Sequence, residues 1–136
     1  MSRVEGQLWR SEVRTVELNG VRIPSPSHPE LKTDLLLVNF GKALRREEVK
    51  RLVEEFYPEY ELATVEHLKA LNMDPRFVEI KEPMRIIALN SMTVIRGETH
   101  FAMLNTWPLT GVKIEQLWWD RRYLGGHWFC LVRKAK

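Results

Sequence analysis

The segment Asp34 to Phe40, DLLLVNF, constrains the fold more than any other part of the chain. It is an apolar run of strand length, and Gly41 breaks it. A half-exposed strand alternates apolar and polar residues, whereas a run of this kind reads as a strand covered on both faces. Other elements must supply that cover. The 136 residues suffice for one domain, expected over 1–136, and a chain of this length buries roughly two-thirds of its unfolded surface without a disulfide or metal staple.

The best helix is Lys42 to Tyr57. Val49, Leu52, Val53 and Phe56 fall on one face, with Arg45, Arg46, Glu47, Lys50, Arg51, Glu54 and Glu55 on the other, and Pro58 ends it. A shorter helix follows, with Thr64 as N-cap, Val65, Leu68 and Leu71 inward, and Asn72 and Asp74-Pro75 as the stop. Residues 7–23 read as a hairpin turning at Asn19-Gly20, because both residues accept the positive φ angles of a tight turn. The proline-rich Pro24 to Glu30 is a loop. Met84 to Arg96 and Thr99 to Asn105 form a second hairpin around Arg96-Gly97-Glu98. Simple alternation puts Ile86, Ala88, Met92 and Val94 on one face, and Ile87, Leu89 and Ile95 on the other.

Residues 112–133 admit two readings. As a helix, Thr110 caps and Ile114, Leu117 and Trp118 make a stripe ending at Gly125. As a hairpin, Gly125-Gly126 turns the chain, Tyr123 faces Trp128 and Trp119 faces Val132. Aromatic content favours the hairpin. The expected fold class is then α+β: an antiparallel sheet of about five to seven strands with two helices packed on one face.

Charge is segregated. Lys113, Arg121, Arg122, Arg133, Lys134 and Lys136 outnumber Glu115 and Asp120 at the C-terminal end. Between residues 47 and 66, Glu47, Glu48, Glu54, Glu55, Glu59, Glu61 and Glu66 face only Lys50 and Arg51. The basic end also holds Trp107, Trp118, Trp119 and Trp128. Aromatic faces anchor protein partners or stack on bases, and Arg adds phosphate or cation–π contacts. Trp118 and Trp119 are adjacent, so in a strand they face opposite sides and an outer hairpin exposes one of them. The candidate binding residues are therefore Trp118, Trp119, Arg121, Arg122, Tyr123, His127, Trp128, Arg133, Lys134 and Lys136. The acidic helix offers a second surface for a basic partner.

Catalytic and metal signals are weak. Gly126-His127-Trp128 with its aliphatic sequel resembles the histidine strand of papain-like cysteine peptidases. That family implies a cysteine nucleophile well upstream, and this chain has none there. The single cysteine, Cys130, lies three residues past His127 and hence on the opposite face of a strand. One cysteine also excludes an intrachain disulfide and any zinc site of two thiolates. His28, His67, His100 and His127 lack ligand spacing, so no metal and no cofactor is expected. No apolar run reaches the ~18 residues of a membrane span, and the first residues carry no signal core, which points to a cytoplasmic protein without membrane contact. The sequence reads as a small non-enzymatic binding or regulatory protein, of the inhibitor type that mobile elements encode. It docks on a nucleic-acid-handling protein, or on nucleic acid itself, through the basic, Trp-rich C-terminal hairpin. The alternative is a small enzyme whose sheet-lined pocket contains His100 and His127, joined by Arg85, Arg96 or Tyr123.

Overall fold

A computed structural model describes residues 14–23, 32–41, 44–80, 83–106, 113–118 and 127–134. Its elements are β1 (Arg14–Arg22), β2 (Lys32–Asn39), α1 (Arg46–Phe56), β3 (Tyr60–Leu62), α2 (Val65–Met73), α3 (Pro75–Val78), β4 (Arg85–Ile95), β5 (Glu98–Asn105), β6 (Lys113–Trp118) and β7 (Trp128–Arg133). The class is α+β. The strands join one sheet in the order β1-β2-β7-β4-β5-β6, with β3 paired to β7 off that path. All ladders are antiparallel except β4 with β7, so the sheet is mixed rather than purely antiparallel.

The apolar run after Asp34 lies in β2, and both of its faces are covered. Leu35 and Leu37 join one apolar cluster with Leu68 and Leu71 of α2 and Phe77 of α3. Leu36 and Val38 join the other, with Val49 and Val53 of α1. The helices thus lie on opposite faces, not on one, because β2 and the equally apolar β7 present buried side chains in both directions. β7 alternates in the same way: Trp128, Cys130 and Val132 enter the first cluster, Phe129 and Leu131 the second.

Three local expectations are corrected. Asn19-Gly20 does not turn the chain; β1 runs through it, and the ladder to β2 shifts register between Leu18 and Val21. The glycine does adopt the positive φ (68°) that the pair favours, but as a bulge, where its N–H donates to Asp34 Oδ1 at 2.8 Å. The portion before Arg14 and the loop from Pro24 to Glu30 lie outside the described residues. Residues 113–118 and 128–133 are strands, as the hairpin reading had it, yet they do not pair with each other. β6 lies beside β5, while β7 sits between β2 and β4, so Val132 faces Leu35 and Glu61, and Trp128 faces Ile86. An apolar strand gains more from burial at the sheet centre than from a short local hairpin. The third correction concerns β4. Ala88 pairs with Ala102 but Met92 pairs with Phe101, so Leu89, Asn90 and Ser91 are extra residues on the β4 side. An odd insertion reverses the faces: Met92 and Val94 share the side of Ile87 and Leu89, not that of Ile86 and Ala88.

The helices follow their patterns. α1 buries Val49 and Val53 and half-buries Leu52 and Phe56, and Glu48 Oε1 accepts the Arg45 N–H at 3.0 Å to close its first turn. α2 begins after Thr64 and buries Leu68 and Leu71. Asp74 then stops it and caps the four-residue α3, accepting the Arg76 N–H at 2.8 Å. No helix among the described residues is long and apolar enough to cross a membrane.

Candidate protein-docking surface

The three-residue β3 decides where the described part of the sheet exposes apolar surface, while Met73 and Val78 are exposed on the helices. Leu62 pairs with Leu131, Glu61 with Val132 and Tyr60 with Arg133, which takes the second half of the β7 edge. β4 holds only the first half, through Ile86 with Trp128 and Ile87 with Phe129. One edge cannot pair two strands at one place, so β4 leaves β7 after Ala88. The three-residue bulge is this departure. It is pinned to the chain that displaces it: Asn90 donates from its main chain to Ala63 O (2.9 Å) and from Nδ2 to Leu62 O (2.7 Å). The Val65 N–H, first in α2, donates to Ser91 Oγ at 2.6 Å.

Beyond the bulge β4 and β5 continue as an arm. Met92 pairs with Phe101, Thr93 with His100, Val94 with Thr99 and Ile95 with Glu98. Arg96 (φ 52°) and Gly97 (φ 79°) make the turn, both at the positive φ that a type I′ turn requires. Arg is an unusual choice there, since a side chain in the left-handed region costs roughly 1–2 kcal/mol. The pair flanking such a turn is hydrogen-bonded within the hairpin, and pairs alternate from there. Ile95 and Thr93 therefore turn their main-chain groups toward β5, while Val94 and Met92 turn theirs to the outer edge. Asn90 to Ile95 bears no charge and no proline, and exposure reaches 50% at Met92, 61% at Val94 and 40% at Ile95. Among the described residues no strand pairs this edge beyond the bulge; such an edge is normally blunted by charge or proline, and this one is not.

The residues singled out from sequence are dispersed. Trp128 is buried, 3% exposed, with the Arg14 guanidinium 4.9 Å from its ring centroid. As a core residue of a central strand it offers no free ring face. Arg133 is exposed but already engaged: Asp34 Oδ2 lies 3.3 Å from Nε, Glu59 Oε2 3.2 Å from Nη1, and the Tyr60 ring 5.2 Å below the guanidinium. The Tyr60 hydroxyl and those carboxylates hold the guanidinium above its ordinary pKa. Lys134 is exposed, and its N–H donates to Glu59 O. His127 is half-buried at the start of β7, and the Trp118 backbone pairs with His100. Trp119, Arg121, Arg122, Tyr123 and Lys136 lie outside the described residues, as does Trp107. The outer face of α1 mixes Glu47, Glu54 and Glu55 with Arg46, Lys50 and Arg51, so it is not uniformly acidic.

His100 and His127 do not meet. His100 sits on the arm opposite Thr93, whereas Trp128 next to His127 pairs with Ile86, itself opposite Leu104. That difference along β5 amounts to about 14 Å at ~3.4 Å per residue. Cys130 is fully enclosed and its thiol is pushed up to about 12 by burial, which leaves it protonated and unreactive. Among the described residues no group of three or more His, Cys, Asp or Glu stands where a metal ion would need it.

The arm was not recognised from sequence. Its only signals were the apolar, uncharged stretch from Met92 to Ile95 and the Arg-Gly turn, and both also fit an ordinary sheet hairpin. What frees it is the competition of β3 for β7, which is non-local. No protein-family model, no curated protein and no solved structure matches the chain.

Proposed function

We propose that this protein is a non-enzymatic binding module that docks a protein partner on the β4–β5 arm, the partner adding an uncharged extended strand to the outer edge of β4. One observation carries the reading: the edge from Met92 to Ile95 combines exposed apolar side chains with main-chain groups aimed away from the sheet. Strand addition draws affinity from main-chain bonds and specificity from alternate side chains. The edge carries no charge, so a charged strand would lose its solvation there without compensation, which sets the chemistry of the occupant. Nucleic acid fits this surface less well. Arg14 and Arg46 lie over the rings of Trp128 and Phe101, and Arg76 and Arg133 over carboxylates, so these cations do not form a phosphate-tracking strip. The binding surface inferred from sequence thus shifts from the C-terminal basic segment to the arm.

The test places a photoactivatable phenylalanine at position 92, with a control at position 54 on the outer face of α1, in the native host. A discrete adduct from position 92 that Val94→Lys abolishes, with none from position 54, is expected. Equal adducts at both positions, or none at 92, overturn the reading. An adduct of twice the chain's mass makes the occupant a second copy and removes the separate partner.

A further inference from the structure

The first turn of α2 has an unusual closure. In the common capping box a Ser or Thr N-cap is followed at the third helical position by Glu or Gln, whose side chain accepts the N-cap N–H. Here the sequence is Thr64-Val65-Glu66-His67, and a histidine occupies that position. The Thr64 N–H donates to His67 Nδ1 at 2.9 Å, and Thr64 Oγ1 lies 3.0 Å from the same atom. An Nδ1 that accepts carries no proton, so the ring is neutral with its hydrogen on Nε2. One peptide further on, the Val65 N–H holds Ser91 Oγ at the root of the arm.

The geometry points to a pH-responsive latch at the arm root: neutral His67 closes the first turn of α2, and protonated His67 releases it together with the Val65–Ser91 contact. Its consequence for partner binding rests on the arm being the docking surface; the latch itself does not. Protonation places a hydrogen on Nδ1 and turns an acceptor into a donor, leaving the Thr64 N–H unpaired. The charged ring then has other partners. Among the described residues the charged groups acting on it are Glu61 of β3 and Glu66 of α2, the latter 3.4 Å from Lys69 Nζ; from β4 the uncharged Asn90 and Ser91 bond to the neighbouring Leu62 and Val65. Two arrangements compete: the ring on the Thr64 N–H, or the ring drawn to the carboxylates. Burial favours the neutral form and lowers the pKa below its ordinary value, against the pull of Glu61 and Glu66. The folded state therefore binds fewer protons than the unfolded chain. Stability from this site is full above the unfolded value of about 6.5 and is lost as pH falls from there through the folded value.

The test is amide exchange followed by NMR on the full chain, corrected for the intrinsic pH dependence of exchange, between about pH 7.5 and about pH 5.5, a range spanning the ordinary histidine pKa. Opening of the Thr64 and Val65 amides is expected to rise roughly three- to tenfold on acidification, the size of a lost cap, with the arm amides of Thr93 and Ile95, which face β5, following. His67→Gln keeps an acceptor at the third position without titrating, and removes the response. Glu61→Gln moves the midpoint to lower pH. An identical response in wild type and His67→Gln overturns the latch. A response at Thr64 that never reaches Thr93 and Ile95 overturns its link to the arm. Neither result changes the cross-linking expected from position 92, so failure of the latch and failure of the docking reading are separable.

Discussion

The two halves of β4 belong to one strand and live in different environments. From Arg85 to Ala88 it lies between β7 and β5, and Ile86 and Ile87 are fully buried on opposite faces. From Met92 to Ile95 it has β5 on one side, and its other edge is left open by β7. The residue types barely differ. Context separates a core segment from an exposed one, and the context is three residues of β3 occupying an edge that β4 would otherwise follow. Apolar content alone therefore does not identify the core of a chain; what competes for each edge matters as much.

The sharpest way to break this comparison is to truncate a side chain in each half. Ile87→Ala removes a wholly buried side chain from the α1 side of the sheet, and should cost ~2–5 kcal/mol through lost transfer energy and the cavity left behind. Val94→Ala removes a mostly exposed one, and should stay within about 0.5 kcal/mol. Urea unfolding of both variants measures the difference. Equal costs would mean that the arm is packed in solution and that no free edge exists. The junction between the halves comes next. Ser91→Ala leaves the Val65 N–H without its acceptor and should destabilise by ~1 kcal/mol, a typical worth for one such bond. Faster exchange of the arm amides, with core amides opening only by global unfolding, would locate the loss at the root.

The same division explains how far the sequence could be read. Periodicity found α1 and α2 because a helix announces its inward face every three or four residues, as Val49 and Val53 do. It also found that β2 is covered on both faces. Which helix covers which face was out of reach, since nothing local in α1 or α2 records the side of the sheet it will meet. Asn19-Gly20 shows a related limit: the dipeptide specifies a positive φ, and a bulge uses it as readily as a turn. The arm was hidden for a third reason. Alternation counts residues from Ile86 to Val94 and has no means of knowing that Leu89 to Ser91 are extra, because the bulge answers to Leu62 and Ala63 more than 25 positions earlier. Trp128 was read as a binding residue from its basic, aromatic neighbourhood, when its place on β7 was set by Ile86 and Leu35 through Val132.

The smallest expected effect sits at the tip of the arm, and it bears on whether the exposed half of β4 is exposed for a purpose. Arg96 holds φ at 52° in a turn where Asn before Gly is the commoner solution. Arg96→Asn should relieve part of that strain and raise stability by about 0.5–1 kcal/mol, read as an upward shift in Tm. Strain kept in an exposed turn argues for a gain elsewhere, and the guanidinium at the tip is the group that would supply it. If Arg96→Asn stabilises the fold and also weakens cross-linking from position 92, the arginine contributes to the docked state and the exposed half of β4 extends through its turn. If stability rises while cross-linking is unchanged, the contact surface ends at Ile95. A variant no more stable than wild type would show that the Arg96 backbone is relaxed in solution, and the tip would lose its claim to any role beyond reversing the chain.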